Sequence, residues 1–270
     1  MNKEKNGYIF GFATILVLIV GTLLALLAVG LKPYQNQNIE NEKKQNILKA
    51  IQVQVSRDEA AVSFKEYVKE ELVLNYKAEK IGNNAFEVDI QKEYKSLADP
   101  EERKYPLYIC EKEGKKYYVI PLIGTGLWGP IGGFIALESD GETVYGATFE
   151  HKSETPGLGA EITEADFYNQ FMKKKIAESG QYTSIQVIKP GTVPLDIHKV
   201  DGITGGTLTS VGVEEMLFRI LKVYFNYFKK NKVDVNPTDE THQHLESDSH
   251  TEKGITEQNN NQSEENHSNI

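Results

Sequence analysis

"YPLYICEKEGKKYYVIPL", residues 105–122, carries the pattern on which the fold turns. Two runs rich in β-branched and aromatic side chains, Tyr105–Cys110 and Lys116–Leu122, flank the charged turn "EKEGK" with Gly114 inside it. Such a pair predicts a β-hairpin. The sequence repeats the device at once: "GPIGGFIALESDGETVYGATFEHK", residues 129–152, sets two further strand-like runs either side of Asp140-Gly141, a dipeptide suited to tight turns between strands. On the N-terminal side, Phe86, Val88 and Ile90 alternate in "NAFEVDIQKEY", which predicts a half-buried strand. Ahead of it Ile47, Leu48, Ile51 and Val55, then Ala61, Phe64, Val68 and Leu72, recur at helical spacing. They predict two helices, or one broken helix, leading into the domain. On the C-terminal side, "TEADFYNQFMKKKIAE" (163–178) reads as a helix capped by Thr163, with Phe167, Phe171 and Ile176 inward and Gly180 beyond its end. "TSIQVIKPG" reads as a short strand. Met216, Leu217, Ile220, Val223, Tyr224 and Tyr227 make one face of a last helix. Strands grouped together with helices around them predict an α+β fold, an antiparallel sheet with flanking helices.

At the N-terminus, Tyr8–Leu31 is a run of 24 residues without a charge. As a helix it would span about 36 Å, enough to cross a bilayer core of about 30 Å. Its end, "ALLAVG", also mimics a signal-peptide cleavage site, but the apolar run exceeds the roughly 7–15 residues usual for one. Lys3, Lys5 and the amino terminus precede the span, while Lys32 follows closely and Lys43 and Lys44 lie further off. That balance puts the N-terminus inside and the bulk of the chain outside the cytoplasm. The expected organisation is a short cytoplasmic N-terminus at 1–7 and a transmembrane helix at 8–31. A stalk with leading helices follows at 32–80, then the main domain at 81–231 and a disordered acidic tail at 232–270. The tail from Val233 on holds nine acidic residues and one lysine, hence −8 of the net −9. It has too few apolar residues to offset the entropy of ordering. Its four histidines, His242, His244, His250 and His267, lack the fixed geometry of a metal site. No basic stripe argues for nucleic acid. The single cysteine, Cys110, excludes an internal disulfide framework and reads as a buried small hydrophobe.

Three stretches are candidates for binding. "DGITGGTLTS" (201–210) puts Thr204, Gly205, Gly206, Thr207 and Thr209 at the mouth of the last helix. The leading amides of a helix have no internal partner and carry partial positive charge, so a phosphate is stabilised there. Asp201 is positioned to orient the loop or hold a cation, and an ordinary threonine cap fits the same residues. "GTGLWGPIGG" (124–133) crowds five glycines around Trp128, the only tryptophan. It reads equally as a ligand platform with Leu127 or as a bulged hairpin with Trp128 as a core plug. "HKSETPGLGAE" (151–161) contains Glu154, Thr155, Pro156, Gly157 and Leu158 in a turn, plausible as type II, with exposed amides. His151 reads as a strand-end histidine. Lys189, at a strand end before Pro-Gly, reads as a surface lysine or as a contact for an anionic cofactor. No catalytic triad, metal motif or carboxylate pair is present, so any chemistry must be carried by a cofactor.

Taken in order, these stretches resemble the signatures of FMN-binding domains that carry covalent flavin. "DGITGGT" is similar to the flavinylation motif Asp-x-x-Ser/Thr-Gly-Ala-Thr, and "HKSETPGLG" and "GTGLWGPIGGFIAL" to the two preceding signatures. Gly206 stands where the motif has alanine. With the single span, and with "GLWGP" and the long region before it, the chain most resembles the C subunits of sodium-translocating NADH:quinone oxidoreductases. The G subunits of Rnf-type ferredoxin:NAD oxidoreductases come next. The resemblance implies FMN esterified through its phosphate to Thr207, with the ring against Leu127-Trp128 and the 154–159 loop. It implies an electron relay within a membrane complex, other subunits as partners, and a flavin transferase during maturation. It also implies an inner-membrane location with the soluble domain on the periplasmic side. A stand-alone extracytoplasmic flavoprotein and a cofactor-free tethered binding module are the rival readings.

Overall fold

The computed structural model describes residues 6–97, 99–194 and 196–231. The acidic tail at 232–270 and the first five residues lie outside the described residues. In chain order the elements are α1 (Asn6–Ala50), α2 (Ala60–Tyr67), β1 (Val68–Leu74), β2 (Lys80–Gly82) and α3 (Ile90–Ser96). Then come β3 (Tyr105–Lys112), β4 (Lys115–Thr125), β5 (Pro130–Leu137), β6 (Val144–His151) and α4 (Ala165–Tyr168). Short strands β7 (Ala177–Glu178), β8 (Gln181–Tyr182), β9 (Gln186–Ile188) and β10 (Lys199–Asp201) precede α5 (Thr207–Lys230). The main sheet has six antiparallel strands in the order β2-β1-β3-β4-β5-β6. The α+β architecture expected from the two hairpins is therefore the one observed. Among the described residues, only the small β9–β10 pair is parallel.

Side-chain alternation along the strands builds a core on each face of the sheet. Tyr118, Ile120, Leu122 and Ile135 face α5, whose Val213, Leu217, Leu221 and Tyr224 complete the larger core. Tyr117, Val119, Phe134 and Ala136 face the other way, against Ile47, Leu48 and Ile51 from α1 and Phe64 from α2. Three prolines, Pro106, Pro121 and Pro130, sit in these strands without breaking them. Pro121 pairs with Phe134 of β5, and the β3–β4 register ends at Tyr108↔Val119, so no β3 partner awaits the missing amide. Cys110 is fully buried, and burial pushes its thiol up to about 12.

Several local expectations differ from what forms. Val68 and Leu72, read as helical, lie in β1, where pairing with β3 through Leu72↔Leu107 overrides the helical spacing. The sheet thus reaches back past the expected domain boundary at residue 81. Phe86, Val88 and Ile90 do not make a strand. Asp89 accepts a hydrogen bond from the Lys92 amide and starts α3, while a short 3-10 turn holds Ala85–Glu87. The helix expected over 163–178 breaks into α4 between two 3-10 turns, and Thr163 spends its hydroxyl on the Ala160 carbonyl rather than on a cap. Phe167, Phe171 and Ile176 are nonetheless buried as expected.

The transmembrane candidate is the first half of a longer object. α1 runs unbroken from Asn6 through Pro33 and the polar stalk to Ala50. Its apolar part has a mean hydropathy of 2.8 over its best window and is long enough to cross a membrane. Its last turns are seated on the sheet: Lys43 Nζ donates to the Phe86 carbonyl at 2.6 Å and lies 4.5 Å from that ring. Burial lowers the Lys43 pKa, opposed by the carboxylates of Glu71, Asp89 and Glu40.

Candidate functional site

The three candidate stretches come together at one end of the sheet, where β4 and β6 finish and α5 begins. Residues 126–129 form a tight turn closed by the Gly126 amide on the Gly129 carbonyl at 2.8 Å. Leu127 and Trp128 project from it and are 50% and 65% exposed. Trp128 is therefore no core plug. The second loop is a type II turn, as expected: the Leu158 amide donates to the Thr155 carbonyl at 3.1 Å and Gly157, its third residue, has φ +76°. His151 Nδ1 accepts the Glu154 amide at 3.2 Å.

Glu154 ties all three loops. The residue is 5% exposed, and its carboxylate accepts the Trp128 amide at 2.8 Å on one oxygen and the Thr209 hydroxyl at 2.6 Å on the other. A buried carboxylate with both oxygens engaged by donors is a favourable arrangement, and an unpaired one would be costly. Gly159 makes room for it: a Cβ there would collide with both Glu154 and the Thr209 hydroxyl. Ser153 adds a second tie, donating to the Trp128 carbonyl at 2.9 Å.

The α5 mouth is held from below and left open above. Gln170 grips the backbone of Asp201 from both sides, accepting its amide at 2.9 Å and donating to its carbonyl at 3.3 Å. Ser210 accepts the Ile203 amide at 2.9 Å. Gly205 has φ +77°, a conformation that favours glycine, and it turns the chain into the helix. Gly206 is the N-cap and supplies no side-chain cap. The ordinary threonine cap weighed from the sequence is therefore absent. Thr204, Gly205, Thr207 and Leu208 are exposed; Gly206, Thr209 and Ser210 are buried. Thr207 is the exposed first residue of a 24-residue helix, whose leading amides have no intrahelical acceptor. Lys189 is exposed and follows Ile188, whose carbonyl accepts the Gly202 amide at 2.7 Å, so it flanks the same loop.

Glu154 and Thr209, expected among the cofactor contacts, thus stand behind the surface and position it. Thr207, Thr204, Leu127, Trp128, Thr155, Gly157, Leu158 and Lys189 line the exposed side. Gln170, Ser153 and Ser210 were not legible as site residues; their spacing carries no motif, and only the tertiary contacts give them a role. A cavity of about 550 Å³ adjoins the mouth, lined by Gly157, Glu161, Glu164, Asp166, Gln170 and Thr204. One of about 670 Å³ lies at the far edge, beside β2 and α3. Among the described residues no cluster of three or more His, Cys, Asp or Glu has the makings of a metal site.

An uncapped helix mouth with an exposed hydroxyl, ringed by Trp128, Leu127 and Leu158, fits a nucleotide with a phosphate and a flat ring. The family model for the FMN-binding domain matches residues 126–222, which contain all three loops. The chain belongs to the family of C subunits (NqrC) of Na(+)-translocating NADH-quinone reductases. The Vibrio campbellii member is 31% identical over 233 residues, covering 78% of this chain and 87% of that protein. The crystal structure of the Parabacteroides distasonis member superposes with a TM-score of 0.68 at 44% identity, covering 73% of this chain and 96% of that one. Shewanella oneidensis NqrC gives 0.60 at 25% identity, covering 71% and 98%.

Proposed function

We propose that this chain is a membrane-anchored flavoprotein component of a sodium-translocating NADH-quinone reductase. Its FMN is bound covalently through the hydroxyl of Thr207 and relays electrons between other carriers of the complex. The observation that carries the reading is the state of the three hydroxyls near the α5 mouth. Thr209 is buried and committed to Glu154, Thr204 lies before the helix, and Thr207 is exposed at the first helical position. A phosphoester at Thr207 Oγ keeps the phosphate beside the leading amides, where helix polarity favours its charge. Leu127, Trp128 and Leu158 supply flat apolar surface for the ring, Thr155 and Gly157 the neighbouring polar groups, and Lys189 a nearby cation.

When bound, FMN supplies the redox chemistry, and this chain's residues place it and shield one side from water. The ester is made by a flavin transferase, and the apolar half of α1 anchors the product with its soluble domain outside the cytoplasm.

The test is intact mass after co-expression with a flavin transferase. Wild type is expected to carry one FMN and to fluoresce on a denaturing gel, and Thr207→Ala to carry none. An adduct retained in Thr207→Ala would move the anchor to another hydroxyl. Bare polypeptide in wild type would leave a cofactor-free module.

A further inference from the structure

The loop after β6 ties itself into a compact knob. The Leu158 and Ala160 amides both donate to the Thr155 carbonyl, at 3.1 and 3.2 Å, and the Glu161 amide donates to the Leu158 carbonyl at 3.1 Å. The Glu161 side chain folds back over the loop, where one carboxylate oxygen accepts the Gly157 amide at 2.8 Å. Glu161 is half-buried, while Glu164 and Asp166 are exposed. The Glu161 charge is therefore held at one place on the loop instead of swinging in solvent. All three carboxylates line the cavity of about 550 Å³ that also takes in Gly157 on this loop and Thr204 at the α5 mouth.

The charges around the mouth are thus sorted. The leading amides of α5 carry partial positive charge and suit a phosphate, and Lys189 flanks that side. The loop that carries Leu158, one of the apolar side chains suited to a ring, has Glu161 fixed on it. Glu154 stands behind it, engaged by the Trp128 amide and the Thr209 hydroxyl. Among the described residues, no lysine or arginine makes an ion pair with Glu161, Glu164 or Asp166.

We propose that Glu161 tunes the bound flavin, holding its reduction potential below the value the same site would give without this charge. The proposal rests on the reading of Thr207 as the flavin anchor with the ring against the 154–159 loop. At neutral pH the reduced ring carries negative charge that the oxidised ring lacks, and charge near the ring is one of a protein's levers on its potential. A fixed carboxylate there disfavours the reduced form. Half-buried Glu161 is screened less by water and salt than exposed Glu164 and Asp166, so it carries most of the effect. The consequence is a flavin that passes electrons on more readily than it retains them.

The test is a potentiometric titration of flavin absorbance in the full-length, FMN-loaded chain, in neutral detergent at low salt. Glu161→Gln keeps an acceptor for the Gly157 amide and removes the charge. It is expected to raise the equilibrium constant for reduction about threefold to tenfold, where tenfold is about 30 mV for a two-electron couple. Glu161→Lys is expected to raise it further, and Glu164→Gln and Asp166→Asn to raise it less than Glu161→Gln does. Salt at about 1 M is expected to shrink these differences. An unmoved or lowered potential in Glu161→Gln would overturn the proposal. A rise confined to Glu161→Ala would overturn it too, by tracing the effect to the lost tie on Gly157. Equal shifts from all three acids would do the same, by replacing one fixed charge with general surface charge. Intact mass is read on every sample, with Thr207→Ala beside wild type. FMN absent from wild type, or retained in Thr207→Ala, removes the anchor and this proposal together, whereas FMN on Thr207 with an unmoved potential removes this proposal alone.

Discussion

Glu154 concentrates the tolerance of the site into one side chain. Removing it by Glu154→Ala strands the Trp128 amide and the Thr209 hydroxyl, and a buried group left unsatisfied costs about 1–3 kcal/mol. The expected outcome is a drop of that size in urea-unfolding free energy, together with weaker FMN loading. Glu154→Gln offers one acceptor and one donor to the same partners and is expected to recover most of both. Cys110 makes a different prediction. Burial raises its pKa from 9.0 to about 12, so the folded state holds the thiol proton more tightly than the unfolded chain. Its stability contribution is complete below pH 9 and falls away as pH rises toward 12. Native protein at pH 8.5 is expected to resist a thiol reagent until denaturant is added, and the denaturation midpoint to decline above pH 9. Fast labelling of folded protein would show that Cys110 is not sealed in the core.

At the scale of elements, α5 and α1 do different work. α5 fills the larger core, and Leu217 is fully buried in it, so Leu217→Ala is expected to cost about 2–5 kcal/mol in unfolding free energy. The Tyr224 hydroxyl, bonded to the Pro106 carbonyl at 2.7 Å, pins the helix to β3. Both hairpins and α5 were legible in the sequence because their signals are long and local: alternating apolar runs around Gly114 and Asp140-Gly141, and a helical stripe from Met216 to Tyr227. The errors fell on short segments. Val68 and Leu72 fit a helical period until a partner strand is known, and Phe86–Ile90 alternates by chance over a length that a single Asp89 cap redirects. The site divided along the same line. Glycines and threonines mark the three loops in sequence, but the ties from Gln170, Ser153 and Ser210 exist only across the tertiary fold.

For the molecule as a whole, the continuity of α1 is the decisive feature, since a stalk of loose coil would let the domain tumble. A chain beginning at Lys32 and exported behind a cleavable signal is expected in the soluble fraction with FMN attached, while the full chain is expected in the membrane fraction; equal partitioning would remove the anchor from the account. The tie between Glu154 and Thr209 has a consequence for biogenesis. The two residues are 55 positions apart and meet only once β6 and α5 are both in place. If Thr207 is the anchor, its place at the finished helix mouth depends on that tie, and FMN loading of chain held unfolded in urea is expected to fall below that of folded chain.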